Sequence, residues 1–189
     1  MRKLKLQVQT SVDNFIAGPN GEMDWMTWNW DEELNKYVKE LTEPVDCIIL
    51  GRKLAEGFIP TWTSRAADPK TAEDFGREMV DTAKIVFTKT MHNADWENTT
   101  LEHGDLAEKV NELKQQSGGD IIAYGGSEFV SSLIKEELID EYHLFVNPTA
   151  IGKGLAIFGE IEGKLALELS HAKAFSCGIV VLCYKPKKS

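Results

Sequence analysis

Three places in the sequence join a short apolar run to residues that could hold a phosphate. Ile121 to Tyr124 runs into Gly125-Gly126 and then at once into a helical pattern of Phe129, Val130, Leu133 and Ile134. A strand that turns through two glycines into a helix brings bare backbone N–H groups to a helix N-terminus, which is a ready anion site. Cys47 to Leu50 runs into Gly51, Arg52 and Lys53, and Lys84 to Phe87 runs into Thr88, Lys89 and Thr90. In a parallel sheet these strand ends share one edge, where ligands bind. Arg52 and Lys89 could then bracket a phosphate monoester, with Arg supplying the fork that phosphate favours. The diglycine, followed by Ser127, Glu128 and Phe129, would take a pyrophosphate. A plain turn and two solvated charges account for each piece alone. Their coincidence at three strand ends brings the phosphate reading level with the bland one.

Acidic candidates lie between Asp24 and Glu33, among the tryptophans of Trp25 to Trp30. A carboxylate beside aromatic walls is desolvated, which would raise its pKa toward a range useful for proton donation. Asp31 is the candidate, although it is equally suited to cap the helix that follows it. His92, His103, His143 and His171 show no metal-ligand spacing, and no metal is expected. The sequence lacks GxGxxG, a P-loop, G-x-S-x-G and the paired motifs of zinc deaminases.

The elements that would position these residues follow from hydrophobic periodicity. Leu4 to Val12 alternates as a strand, and turn residues surround a second apolar piece, Phe15-Ile16-Ala17. A helix is predicted from Asp31 to Leu41. Buried strands follow at Cys47–Leu50, Lys84–Thr88 and Ile121–Tyr124, with another strand at Glu141–Val146. Helices are predicted at Ala72–Asp81, at Asp105–Gln116 with Gly118-Gly119 closing it, and at Glu128–Lys135. Phe58 to Thr71, with Pro60 and Pro69, reads as loop. Leu165–Phe175 and Ile179–Tyr184 form a hairpin around Cys177-Gly178. Strands alternating with helices imply an α/β domain with a mostly parallel central sheet, helices on both faces and an antiparallel C-terminal hairpin.

At 189 residues the chain is expected to be a single domain over 1–189. A net charge of −9 argues against nucleic acid and anionic membrane as partners, so any phosphate site must gather its positive charge locally. The three cysteines, without CxxC spacing, read as buried thiols in a reducing compartment. With no signal-peptide pattern at the N-terminus, a cytoplasmic location is expected.

Together these residues resemble the dihydrofolate reductase-like superfamily, over nearly the whole chain and in the right order. Ser11 to Gly18 looks like the first strand and its cofactor-contacting turn, which includes Ala17. Gly21 to Trp25 looks like the loop over the nicotinamide. Gly51-Arg52-Lys53 resembles the motif that holds cofactor phosphates, Thr88-Lys89 the adenosine-phosphate position, and Gly125-Gly126 the pyrophosphate turn. Asp140-Glu141, Pro148, Gly152, Gly154 and Phe158 further resemble the reductase half of the bifunctional riboflavin-biosynthesis deaminase-reductase. Leu54 departs from that pattern, replacing a Thr, and Glu128 stands where some members carry a base.

The resemblance implies a three-layer α/β fold, NADPH as cofactor, a homodimer and hydride transfer to a small molecule. It implies 5-amino-6-(5-phosphoribosylamino)uracil as substrate, with Trp25, Pro148, Gly152 and Gly154 at the substrate pocket. Pterin reduction with Asp31 assisting protonation is the alternative, and a nucleotide-binding protein without turnover is a third reading.

Overall fold

The computed structural model describes residues 1–69 and 76–187. Eight strands form one sheet in the order β4-β3-β2-β5-β1-β6-β8-β7. The strands are β1 (Leu4–Thr10), β2 (Val45–Gly51), β3 (Ala83–Phe87), β4 (Thr99–Glu102), β5 (Asp120–Ala123), β6 (Glu141–Val146), β7 (Leu167–Ala174) and β8 (Val180–Pro186). The pairings among β1 to β6 are all parallel, and β8 pairs antiparallel with β6 and with β7. The expected mostly parallel sheet and antiparallel C-terminal hairpin are both present.

Helices cover both faces. On one face α4 (Leu106–Gln115) and α5 (Ser127–Lys135) bury Val110, Val130 and Leu133 against Leu4, Leu6, Val8, Ile49 and Ile121. Full burial of each such side chain contributes about 1.5–3 kcal/mol. The other face carries two separate apolar clusters. α1 (Glu32–Thr42) packs Leu34, Val38 and Leu41 on Phe145 and Val181. α2 (Arg52–Ala67) and the short α3 (Arg77–Asp81) pack Ala55, Ile59 and Met79 on Ile48, Leu50, Val86 and Ile122. Between those clusters runs β1, whose residues Lys5, Gln7 and Gln9 point to this face. Its register sets Lys5 beside Glu141 and Ile122, Gln7 beside His143, and Gln9 beside Phe145.

The loop expected over Phe58–Thr71 is overturned for residues 58–67, since α2 runs through Pro60 to Ala67; 68 and 69 lie outside any helix, and 70–71 lie outside the described residues. Pro60 removes one N–H from the helix ladder. It sits on the solvent side, while Ala55 and Ile59 anchor the opposite face against the sheet. That packing outweighs the lost bond. Of the helix expected at Ala72–Asp81, residues 77–81 are helical and 72–75 lie outside the described residues. β4 was not expected: it is a four-residue edge strand with only Leu101 as an apolar residue.

Candidate functional site

A cleft of about 1280 Å³ opens along the carboxyl ends of β2, β3 and β5 and continues between α1 and α2. It exceeds the roughly 300–1,000 Å³ of a site for one drug-sized ligand, which leaves room for two molecules side by side. All eleven residues expected at the cofactor line it: Ala17, Gly51, Arg52, Lys53, Thr88, Lys89, Gly125, Gly126, Ser127, Glu128 and Phe129.

Local backbone geometry explains the glycines. Gly125 and Gly126 have φ of +135° and +80°, which L side chains rarely adopt. At Gly51 a Cβ would lie 2.8 Å from the Cβ of Phe129, so glycine lets β2 and α5 approach.

Helix capping divides the elements into two kinds. α1 and α4 start at aspartates, with Asp31 accepting from Leu34 N–H at 2.7 Å and Asp105 from Glu108 N–H at 2.9 Å. α2 and α5 start at Gly51 and Gly126, with no side-chain cap on either. Their first-turn N–H groups are orphans in the helix. Both of these uncapped ends lie at the cleft, and each carries the positive end of its helix dipole. A pyrophosphate would supply the missing acceptors, so the residues fit a dinucleotide.

Two of the three basic residues at the strand ends are already engaged. Arg52 Nη1 lies 2.7 Å from Glu56 Oε1, and Lys53 Nζ lies 2.6 Å from Glu128 Oε1. Lys89 makes no hydrogen bond or ion pair among the described residues. The Thr88 hydroxyl oxygen accepts from the N–H groups of Thr90 (3.2 Å) and Met91 (3.0 Å), which shapes the turn that presents Lys89.

The residues expected at the substrate behave differently. Asp31, Trp25, Pro148, Gly152 and Gly154 do not line the cleft. Trp25 turns its Nε1–H to the Glu22 carbonyl at 3.1 Å. Pro148 sits against Gly178 of the β7–β8 hairpin. Gly152 N–H donates to Asp13 Oδ2 at 2.6 Å. A Cβ on Gly154 would stand 2.2 Å from the Ala17 carbonyl oxygen, so glycine there allows Leu155 to pair with Ala17. Leu155 and Ala17 then form one lip of the cleft. These glycines shape the wall from behind.

The desolvated-acid reading of Asp31 is corrected. Its carboxylate accepts from Leu34 N–H, from the Ser176 hydroxyl at 2.7 Å and from Cys177 N–H at 3.0 Å. Those donors, Leu34 foremost and then Ser176, hold its pKa down at about 2. A group so firmly ionised is a poor proton donor near neutrality.

Sequence reasoning missed the groove between α1 and α2. Gln7 and Gln9 form its floor with Tyr124, Trp30 and Val38 stand on the α1 side, and Phe58, Thr61, Trp62 and Arg65 on the α2 side. Leu54, Phe58, Thr61 and Arg65 recur at helical spacing, a signal that appears once 58–67 is read as helix. Phe58 stacks on Tyr124 with ring centroids 5.3 Å apart. Asn147, fully buried, donates from Nδ2 to Gln9 Oε1 at 2.8 Å and accepts Thr27 N–H at 2.8 Å, so it ties the tryptophan loop to the sheet.

Comparison with known proteins adds to this geometry. The family described as RibD C-terminal domain matches residues 2–181. The uncharacterized protein YyaP of Bacillus subtilis (strain 168) is 29% identical over 186 residues, covering 97% of this chain and 94% of YyaP. YwjB of the same organism, also uncharacterized, is 29% identical over 174 residues, 92% of each chain. A putative riboflavin biosynthesis protein from Shewanella sp. PV-4 superposes with a TM-score of 0.74 over 100% of both chains at 22% identity. The deaminase/5-amino-6-(5-phosphoribosylamino)uracil reductase of Thermotoga maritima gives a TM-score of 0.68 at 17% identity, covering 98% of this chain and 57% of its own.

Proposed function

The chain belongs to the RibD C-terminal domain family, of dihydrofolate reductase-like fold, and from that premise we propose that it is an NADPH-dependent reductase. The observation that carries the reading is the pair of uncapped helix ends, Gly51–Arg52 and Gly126–Ser127, at one cleft. First-turn N–H groups of α5 and α2 would hold the pyrophosphate. Arg52 and Lys89 would hold the adenosine 2′-phosphate, with Arg52 released from Glu56. The bound cofactor would supply the hydride. The protein's part is to orient the two reactants and exclude water, and the tryptophan loop and the Ala17–Leu155 lip provide walls for that.

For the acceptor we propose a nitrogen heterocycle, in the first place 5-amino-6-(5-phosphoribosylamino)uracil. Its flat ring suits the aromatic groove, and Thr61 and Arg65, which line the same groove on α2, suit an anionic phosphate end. Dihydrofolate is the second acceptor, weakened here by the firmly ionised Asp31. A homodimer and a cytoplasmic location belong to the same proposal. Among the described residues no helix is long and apolar enough to cross a membrane.

The experiment is a titration of NADPH and NADH against the purified protein, followed by NADPH oxidation at 340 nm with the pyrimidine and with dihydrofolate. Tighter binding of NADPH and turnover of the pyrimidine are expected. Cofactor binding without turnover of any acceptor would leave a nucleotide-binding protein instead.

A further inference from the structure

Among the described residues one buried side-chain atom lacks any hydrogen-bond partner, and it lies at the cleft: Oε1 of Gln7. Gln7 is 7% exposed, on the central strand β1, in the gap between the α1 and α2 clusters. Its neighbours along β1 are satisfied. Lys5 pairs with Asp120 at 2.9 Å, and Gln9 Oε1 accepts from Asn147. Buried polar atoms in native proteins are overwhelmingly bonded, and an exception calls for a cause. Stability gives none, because a leucine would fill the same space without the orphan oxygen. A ligand does give one.

We propose that Gln7 is the residue that reads the acceptor ring, its carboxamide oxygen accepting from a ring N–H or an amino group of a planar nitrogen heterocycle. The proposal rests on the reductase reading for the identity of the site and deepens it by naming the recognising atom. The surroundings define the ligand's shape. Trp30 and Val38 stand on one side of the groove and Phe58 and Trp62 on the other, walls suited to a flat ring lying over β1. An amide at the floor of an apolar slot discriminates strongly, since a ring without a donor would leave the oxygen unpaired.

The test uses 5,6-diaminouracil, which carries N–H and amino donors, and 1,3-dimethyluracil, which carries no N–H. Binding is read by tryptophan fluorescence in the presence of saturating NADP⁺, so no turnover occurs. The wild-type protein should prefer the diamino ring. Gln7→Leu and Gln7→Met should weaken it by about tenfold, the loss of one buried hydrogen bond, and leave NADPH affinity unchanged. Both variants should melt no lower than wild type, because each removes an unpaired atom. Equal binding of the diamino ring by wild type and both variants would overturn the proposal. So would equal binding of the two rings by wild type, or a loss of thermal stability in both variants. The two readings fail separately. Gln7-dependent ring binding without NADPH oxidation upholds this inference and removes the reductase. Acceptor turnover that is unchanged in Gln7→Leu does the reverse.

Discussion

Asp31 fastens α1 to the β7–β8 turn through Ser176, whose hydroxyl donates to Oδ2 at 2.7 Å while Oδ1 caps the helix. One carboxylate thus fixes both the start of a helix and the hairpin tip beside it. Replacing Asp31 with Ala should therefore lower the melting temperature by roughly 2–6 °C, as for a lost cap in a domain of this size. Turnover with a pyrimidine acceptor should fall only as far as stability does. Thermal melts set beside steady-state rates decide it: a large fall in rate at unchanged melting temperature would restore Asp31 as the acid.

Gly126 opens α5 at a φ of +80°, with Leu54 and Phe129 carbons 3.6 and 3.9 Å from where a Cβ would stand. Space exists for a methyl group, but the conformation is costly, at about 1–2 kcal/mol for an L-residue. Gly126→Val adds β-branching at the cradle itself. The variant should fold with reduced stability and lose NADPH binding, as read by isothermal titration alongside circular dichroism.

On the proposed reading Arg52 leaves Glu56 to reach a phosphate, so the ion pair at 2.7 Å would compete with the cofactor. Arg52→Ala should weaken NADPH by about 1.5–3 kcal/mol, the scale of a charged hydrogen bond, with little effect on NADH. Glu56→Gln should do the opposite and tighten NADPH, because the guanidinium is released beforehand. Parallel titrations with both cofactors test the pair, and equal NADPH and NADH affinities in the parent would remove the 2′-phosphate assignment.

Glu141, at the start of β6, is an acid-sensitive group of the sheet. His143 beside it and Lys3 at 2.9 Å, with Lys185 at 3.6 Å, hold its carboxyl down at about 2. His143 Nε2 stands 3.6 Å away, beyond hydrogen-bond range, so the Lys3 contact is the more direct. A depressed carboxyl stabilises the fold above its unfolded value and loses that contribution as pH falls through the folded one. The window therefore runs from about pH 4.5 down to about pH 2. The contribution is about 3 kcal/mol at most, and about 1–2 kcal/mol once solvent screening of the half-exposed Lys3 is counted. Urea midpoints of wild type and Glu141→Gln should differ at pH 6 and converge toward pH 2.5.

The strand ends at the cleft were legible in the sequence because each couples a buried apolar run to glycine or a cation. The groove between α1 and α2 was not. β1 alternates Leu4, Leu6, Val8 with Lys5, Gln7, Gln9, a pattern that reads as one wet face. That face is in fact flanked by α1 and α2, which leave Lys5 and Gln7 buried, Gln7 at the bottom of a groove. Pro60 likewise suggested a loop where packing on Ile48 and Leu50 sustains a helix. Asp31 was legible as a cap, but the second half of its bonding comes from Ser176 and Cys177, far along the chain.

The Ala17–Leu155 bridge has a consequence for how the chain is made. Ala17 leaves the ribosome well before Leu155, so the lip closes only once Leu155 has been synthesised. A nascent chain stalled before Leu155 would already carry Arg52 and the diglycine yet lack that lip. Such wide separation along the sequence also slows the search for the native pairing. On the proposed reading, a bound nucleotide would therefore be enclosed by this lip only in molecules whose translation has passed Leu155.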